Sequence, residues 1–384
     1  MNIVFAADNH YIQHLSVTLT SLLENATHKD KITINIIGKD IEIKNKLFLD
    51  QLVQGYGSRI VYKEINPNLL KEAVINGHIT EATYYRILIP NLFEADVKKV
   101  LYLDCDLVIT ADIWELWDTE LDGHALGAVR IYEYVNDGRV PENATYFNAG
   151  VLLINLDKWR SEDLTRKVLE YIKAYPDRLL SWDQDALNGV LYEEWVELPF
   201  HWNFRSQLFE LNSEQFPFVE KRIFEESQSN PSIVHFTTNS KPWHYMNEHP
   251  YKNEYFKYLD NSGYPYTKYK EEAILKRLNY ILFGAGLKGQ TVKTRLEKKG
   301  LRVTGFLDNS PSKWGSVIES LPVLKPDVDN IDFDKNVIVV SSQYEKEISE
   351  QLIQSNLKPN EHFFNDIDNL YLLANQLEKK KNRR

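Results

Sequence analysis

The sequence predicts an α/β protein in two parts: a first domain on a largely parallel sheet, and a smaller α/β unit after it. Three observations carry this. Strand and helix patterns alternate through the first hundred residues. A buried-strand pattern at Val100–Leu103 runs into two acids, Asp104 and Asp106, in the place where open α/β sheets hold their ligands. The text then turns polar near Asp260, and a new strand pattern starts at Tyr280.

Taken in order, Asn2–Ala7 reads as a strand, and the helix after it places Ile12, Leu15, Leu19, Leu22 and Leu23 on one face. Lys31–Ile37 alternates Ile32, Ile34 and Ile36 as a second strand. Leu47, Leu52 and Val53 mark a second helix, and Arg59–Ile65 is a third strand. Thr80–Leu88 reads as a helix that carries Arg86. Further strands are expected at Lys99–Leu103, Ala125–Ile131 and Val151–Asn155. The domains expected are 1–260, a linker over 261–278 opening NSGYPYTKYKEE, and 279–384 with a basic tail. Within the second, strands are expected at Tyr280–Phe283, Arg302–Leu307 and Val337–Val340, with a helix over Glu345–Gln354.

Composition excludes several classes. A net charge of −10 argues against nucleic acid as a partner, since phosphate binding shows as a basic face. No 18 apolar residues run together, so no membrane span is expected. Cys105 is the only cysteine, which rules out an intrachain disulfide and fits a reducing compartment. The amino end reads as a first strand and not as a signal peptide. The expected location is therefore cytoplasmic. The tail cations Lys379, Lys380, Lys381, Arg383 and Arg384 would suit a peripheral position at the inner face of the cell membrane, or simply the dipole of a terminal helix.

Two carboxylates at the end of an apolar run cost several kcal/mol to bury, roughly, unless something compensates them. A divalent cation does. Residues i and i+2 of an extended chain face one side, so Asp104 and Asp106 form a pair of oxygen ligands, with Cys105 pointing away as filler. Alone the pair is weak evidence, because acids after strands are often turn formers.

Five further segments follow the same logic: FAADNHY (5–11), YYRILIP (84–90), YFNAGVLLINLDKWR (146–160), WDQDALN (182–188) and HFTTNSKPW (235–243), with LYLDCDLVI (101–109) among them. In order and rough spacing the six resemble bacterial retaining glycosyltransferases of family 8, the group that includes lipopolysaccharide galactosyltransferases and, more distantly, glycogenin. The resemblance implies a GT-A type domain, with a mixed, mostly parallel sheet and helices on both faces. It implies transfer of a hexose, galactose or glucose, from a UDP-sugar to a hydroxyl of a glycan, glycolipid or glycoprotein, with retention. Manganese is the implied ion, with magnesium as the alternative.

Residue by residue, the resemblance sets Ala6, Asp8, His10 and Tyr11 against the nucleoside, with Asp8 accepting from uracil or ribose and Tyr11 stacking on the base. Asp104, Asp106 and His235 hold the metal, and Lys241 neutralises the leaving diphosphate. Arg86, Asn148, Asp183 and Gln184 form the sugar pocket, Gln184 lying under the anomeric carbon. Gln184, Asp183, Arg86 and Lys241 are the catalytic set. An amide is a poor nucleophile, which favours front-face attack over a covalent double displacement. Taken singly, Asp8 is also a good N-cap, and a lone His235 is also a good core residue. The chain departs from the family in having Thr238 where Gly is common, and Ile131 after Arg130 where an acid is common. Trp182, Trp202 and Trp243 are candidate platforms for an acceptor sugar.

In the second unit Gly284, Gly286 and Gly289 follow a strand and open a helix, and Asp308 comes about 20 residues later at the next strand end. This is a Rossmann-like fingerprint for a second nucleotide site, holding NAD or another nucleotide. The stretch resembles the small nucleotide-binding domains attached to some sugar acetyltransferases and nucleotide-sugar dehydratases. It supports an alternative function, an NAD-dependent nucleotide-sugar oxidoreductase or epimerase. Against that, the Tyr-x-x-x-Lys pair of short-chain enzymes is missing, since Tyr344 is followed by Ile348 and Tyr371 by Asn375. A third reading makes the unit a module for homo-oligomerisation or partner docking.

Overall fold

The computed structural model describes residues 1–65 and 84–382. Two compact units emerge. The first comprises Met1–Thr237 with Asn253–Tyr266, and the second Thr238–Lys252 with Thr267–Arg384. The chain therefore passes between units more often than the single linker expected at 261–278.

The first unit is built on β1 (Asn2–Ala6), β2 (Thr33–Ile37), β3 (Arg59–Lys63), β4 (Lys99–Leu103), β5 (Leu107–Ile109), β6 (Leu126–Arg130), β7 (Phe147–Asn155), β8 (Trp195–Glu197), β9 (Phe204–Arg205) and β10 (Ile233–His235). Among the described residues, seven of these form one sheet in the order β3-β2-β1-β4-β7-β6-β8, and β5-β10-β9 form a second. β3, β2, β1 and β4 run parallel, whereas β7 lies antiparallel to both β4 and β6. The large sheet is therefore mixed and mostly parallel. Side chains alternate across it, with Ile3, Phe5, Leu101 and Leu103 in one core and Val4, Val100 and Tyr102 in the other. Both faces are buried, as a sheet covered by helices requires. Replacing a core residue such as Leu103 by Ala would cost about 2–5 kcal/mol.

The helix Ile12–Asn25 buries Ile12, Leu15, Leu19, Leu22 and Leu23, as their spacing predicts. The helix Ile43–Gly55 turns differently from expectation: Leu49 and Val53 are buried and Leu47 is 56% exposed, since residues four apart share a face and 47 does not. β2 starts at Thr33 because Lys29–Lys31 close a 3-10 turn. The helix expected over Thr80–Leu88 is a 3-10 helix, Tyr85–Asn91, with Pro90 inside it, and positions 80–83 lie outside the described residues. β7 begins four residues before the expected Val151, because Asn148 and Gly150 hide its start in the sequence. The helix Lys252–Ser262 is fastened to the first helix by Gln13 and His14, which bond Tyr255 Oη at 3.1 and 2.8 Å, and by Asn25 on Tyr258 Oη at 3.1 Å.

The second unit contains β11 (Asn279–Phe283), β12 (Arg302–Leu307), β13 (Val317–Ile318), β14 (Leu321–Leu324), β15 (Asn336–Val340) and β16 (Phe363–Phe364), in the order β13-β14-β12-β11-β15-β16. β11 is parallel to both β12 and β15. Tyr245 and Met246 are buried in this unit's core with Leu275, Tyr280 and Leu370, which explains why Thr238–Lys252 groups here. Lys379, Lys380 and Lys381 stand in the last turn of the helix Leu370–Asn382, where cations meet its negative end, and Lys380 also pairs with Glu361 at 3.2 Å. No helix among the described residues is long and apolar enough to cross a membrane.

Candidate active site

Strand pairing assembles the site. Asp104 and Asp106 stand on the bend between β4 and β5, not within a strand, so the bend rather than a pleat brings their carboxylates near each other. β4 pairs antiparallel with β7, Leu103 opposite Val151, and the next residue of each strand meets: Asp104 N donates to Gly150 O at 2.9 Å. β5 pairs antiparallel with β10, which sets His235 beside Leu107, and Phe236 N donates to Asp106 O at 3.1 Å. Asp104, Asp106 and His235 thus come from three strand ends, with one ligating atom of each within 4.8 Å of the others. His235 Nε2 lies 3.7 Å from Asp104 and 3.5 Å from Asp106.

Gly150 leaves room for this cluster. A Cβ there would stand 2.3 Å from His235 Cε1 and 2.9 Å from Asp104 Oδ2.

Backbone amides fix the orientation of the whole polar network. Gly150 N–H donates to Asn148 Oδ1 at 3.0 Å, so that atom is the oxygen, and Asn203 Nδ2 donates to it at 2.8 Å. Asn203 then presents Oδ1 to His235 Nδ1 at 2.9 Å. An amide oxygen only accepts, so Nδ1 carries the proton and the Nε2 lone pair faces the two carboxylates. On the other side Ala149 N–H donates to Gln184 Oε1 at 3.0 Å, and Asn148 Nδ2 donates to the same oxygen at 3.0 Å. Gln184 Nε2 donates to Tyr146 Oη at 3.2 Å, and Tyr146 donates in turn to Asp185 Oδ1.

The helix Asp183–Leu191 is pinned to β7 by Asn188, which accepts from Phe147 N at 2.8 Å and donates to Phe147 O at 3.0 Å. That clamp puts Gln184 beside Asn148 and Asp183 beside Arg86. Trp182, just before the helix, has φ 49°, a left-handed conformation that costs a non-glycine residue roughly 1–3 kcal/mol.

Arg86 joins the two acidic centres. Its Nη2 lies 3.1 Å from Asp104 Oδ1, its Nε 2.8 Å from Asp183 Oδ2, and its Nη1 donates to Ala149 O at 2.6 Å. The guanidinium also sits over the Tyr102 ring at 4.7 Å, while Tyr102 Oη donates to Asp104 at 2.7 Å. Burial works against the Arg86 charge, but Asp104 and Asp183 outweigh it and hold the guanidinium ionised. Burial pushes the Asp183 carboxyl up to about 6, against the pull of Arg86.

At the end of β1, Asp8 Oδ1 accepts from His10 N at 2.8 Å and Tyr11 N at 3.2 Å, which closes the turn ahead of the first helix, whose N-cap is Tyr11. Tyr11 is 41% exposed, with a ring available for stacking. His10 is exposed, and Ala6 O accepts from Cys105 Sγ at 3.1 Å, with Cys105 otherwise buried in the core. Lys241 is carried by the Thr238–Lys252 segment of the second unit, as is Trp243, whereas Trp202 is buried in the first. Asn203 carries a role that no motif signalled. Its one trace in the sequence is a polar residue inside the aromatic stretch FHWNF.

The profile of glycosyl transferase family 8 matches residues 2–247, well over half of the chain. The chain belongs to glycosyl transferase family 8. It is 34% identical to general stress protein A of Bacillus subtilis (strain 168) over 275 residues, 70% of this chain and 94% of that one. The crystal structure of galactosyltransferase LgtC in complex with donor and acceptor sugar analogues aligns with a TM-score of 0.59 at 28% identity, covering 68% of this chain and 96% of LgtC. The glycosyltransferase GlyE of Streptococcus pneumoniae TIGR4 aligns over 98% of this chain and 99% of its own with a TM-score of 0.53, and at 18% identity this shows a shared fold. A further profile, C2185-like N-terminal, matches residues 276–362. The family 8 domain is a GT-A fold enzyme that transfers a sugar, which leaves the oxidoreductase alternative without support.

Proposed function

We propose that this family 8 transferase moves a hexose, galactose or glucose, from a UDP-sugar to a hydroxyl of a glycan, glycolipid or glycoprotein with retention, using a divalent ion on Asp104, Asp106 and His235. The observation that carries this is the convergence of those three groups, with Gln184 tied to His235 through Asn203 and Asn148. The residues fit an ion: the donor set is two carboxylates and one imidazole, and the space beside them is one that a Cβ at position 150 would fill. Imidazole favours manganese over magnesium. When bound, the ion offsets the charge that builds on the departing diphosphate.

The chain's own residues then have separable tasks. Arg86 holds Asp183 as a carboxylate where a sugar hydroxyl can donate to it. Asn148 and Gln184 form an amide pair, joined at 3.0 Å and held by the Ala149 and Gly150 backbone amides. Both lone pairs of Gln184 Oε1 already accept from protein donors, which makes it poor at forming a covalent bond. Front-face attack suits this arrangement: the acceptor oxygen bonds to the anomeric carbon as the bond to the diphosphate breaks, and the acceptor proton passes to the diphosphate oxygen. Tyr11 offers its ring to the base, and Lys241 is assigned to the diphosphate by resemblance. The test is a screen of UDP-sugars for manganese-stimulated UDP release, in intact protein and in Asp104→Asn and Asp106→Asn. The reading expects one UDP-hexose to turn over and both variants to lose rate by about two orders of magnitude or more. Full activity in chelator overturns the metal assignment.

A further inference from the structure

The second unit has a ligand-sized cavity of its own. From β11 the chain goes out to β12 and β14 on one side of the sheet, then returns to β15 on the other, so β11 and β15 flank a topological switch point. Parallel sheets open a crevice there, beyond the carboxyl ends of the strands. A cavity of about 580 Å³ occupies this place, walled by Gly286 and Lys288 after β11, Asp308 and Lys313 after β12, and Ser342 and Tyr344 after β15. That volume is in the range of small-molecule sites.

The three glycines play three different parts. Gly284 has φ 121°, and a Cβ on it would lie 2.7 Å from Ser341 O, so the turn admits no side chain. A Cβ on Gly289 would lie 2.0 Å from Gly284 O, which keeps the helix Leu287–Lys298 tight against the strand end. Gly286 is the reverse case: nothing lies within 4 Å of its Cβ position. The loop backbone is bare on the cavity side, where a phosphate would approach its amides.

Recognition at the next strand end differs from the dinucleotide pattern expected from the sequence. Asp308 accepts from Ala285 N at 3.0 Å, Ser310 N at 2.9 Å and Lys313 Nζ at 2.8 Å. Three donors leave this carboxylate little capacity for a ribose diol; its work is to brace the glycine loop and to hold Lys313 at the cavity wall. Lys288 Nζ stands across from it, bonded to Ser342 O and Glu345 at 3.2 Å each. At the cavity wall Leu287 is 80% exposed and Tyr344 58% exposed, two apolar faces with no core to serve. A planar base would cover them.

We infer that this cavity binds the nucleoside diphosphate group of a nucleotide, with the phosphates over Gly286 between Lys288 and Lys313 and the base against Tyr344. This site is separate from the transfer site, and its failure leaves the transferase reading untouched. The test uses the full chain in chelator, titrated by calorimetry with UDP, ADP and NAD⁺, and compares Gly286→Glu and Lys288→Glu. Saturable binding of at least one probe, one molecule per chain, is expected. Gly286→Glu should weaken it by about tenfold or more, Lys288→Glu by several-fold, and sugar transfer should be unchanged in both. The probe that binds tells a UDP-type occupant from an adenine dinucleotide. No saturable binding of any probe, or binding that both folded variants retain in full, overturns the proposal. Lys288 is half-exposed, so its variant decides the matter even where Gly286→Glu fails to fold.

Discussion

His235 donates from Nδ1 to the side-chain oxygen of Asn203 at 2.9 Å, and this bond aims the other ring nitrogen at Asp104 and Asp106. Asn203 is wholly buried and is itself oriented by Asn148. Partners of this kind set the tautomer and direction of a metal-binding imidazole. Asn203→Ala should therefore lower affinity for manganese by about 10–100-fold while UDP-sugar turnover at saturating metal recovers in part. Metal titration of activity, or of intrinsic fluorescence, measures this. Unchanged metal affinity would separate Asn203 from the metal centre.

A methyl group at position 150 has nowhere to go, since its neighbours would be the His235 ring at 2.3 Å and Asp104 at 2.9 Å. Gly150→Ala should therefore push the imidazole or the carboxylate out of line. Loss of transfer by about a hundredfold is expected, because displacement of about 1 Å is enough at a reacting centre. Thermal melting of the variant distinguishes this from unfolding, and a folded, fully active Gly150→Ala would show that the cluster is not used.

Gln184 is held from both ends, by Ala149 N–H and Asn148 at its oxygen and by Tyr146 at its nitrogen. Tyr146→Phe removes only the last of these and leaves Asp185 its contact with Arg139 at 2.9 Å. The chemical rate should fall about tenfold with UDP affinity unchanged, the mark of a group that positions the reacting centre rather than the nucleotide. Gln184→Ala should show the same split with a larger loss. Equal losses of rate and UDP affinity would place Tyr146 in nucleotide binding instead.

Much of this was legible before the structure. The apolar spacing of Ile12, Leu15, Leu19, Leu22 and Leu23, the strand ends at Leu103 and Phe283, and the acid pair all rest on local pattern, which sequence carries directly. What stayed hidden depends on pairing between distant strands. Nothing local to Gly150 says that β7 runs antiparallel beside β4, and so nothing there says that its missing side chain is space for His235. Asn203 was invisible for the same reason: its partners, His235 and Asn148, lie 32 and 55 residues away. The polar stretch after Asp260 looked like the sole boundary, while Tyr245 and Met246, too few to make an amphipathic pattern, carry 238–252 into the second unit's core.

His244 gives a pH prediction within that unit. It is buried, its ring stacks on Tyr371 at 3.8 Å, and its Nδ1 accepts from Lys241 N at 3.2 Å. Burial first, and then the charges of Lys241 and Lys252, lower its pKa from the ordinary 6.5 to about 3. The folded protein thus keeps the ring neutral, while the unfolded chain takes up a proton below 6.5. The contribution to stability is full above pH 6.5 and is lost as pH falls from there towards 3, with a slope of up to roughly 1.4 kcal/mol per pH unit. Other groups titrate in the same window, so the informative quantity is the difference between the intact protein and His244→Gln, which cannot protonate. Urea denaturation at pH 7, 6 and 5 should show a shallower acid loss in His244→Gln, and the His244 ring resonance should not move over that range. A ring signal that titrates with a midpoint near 6.5 would mean that His244 is open to water and that its stacked place against Tyr371 is not held.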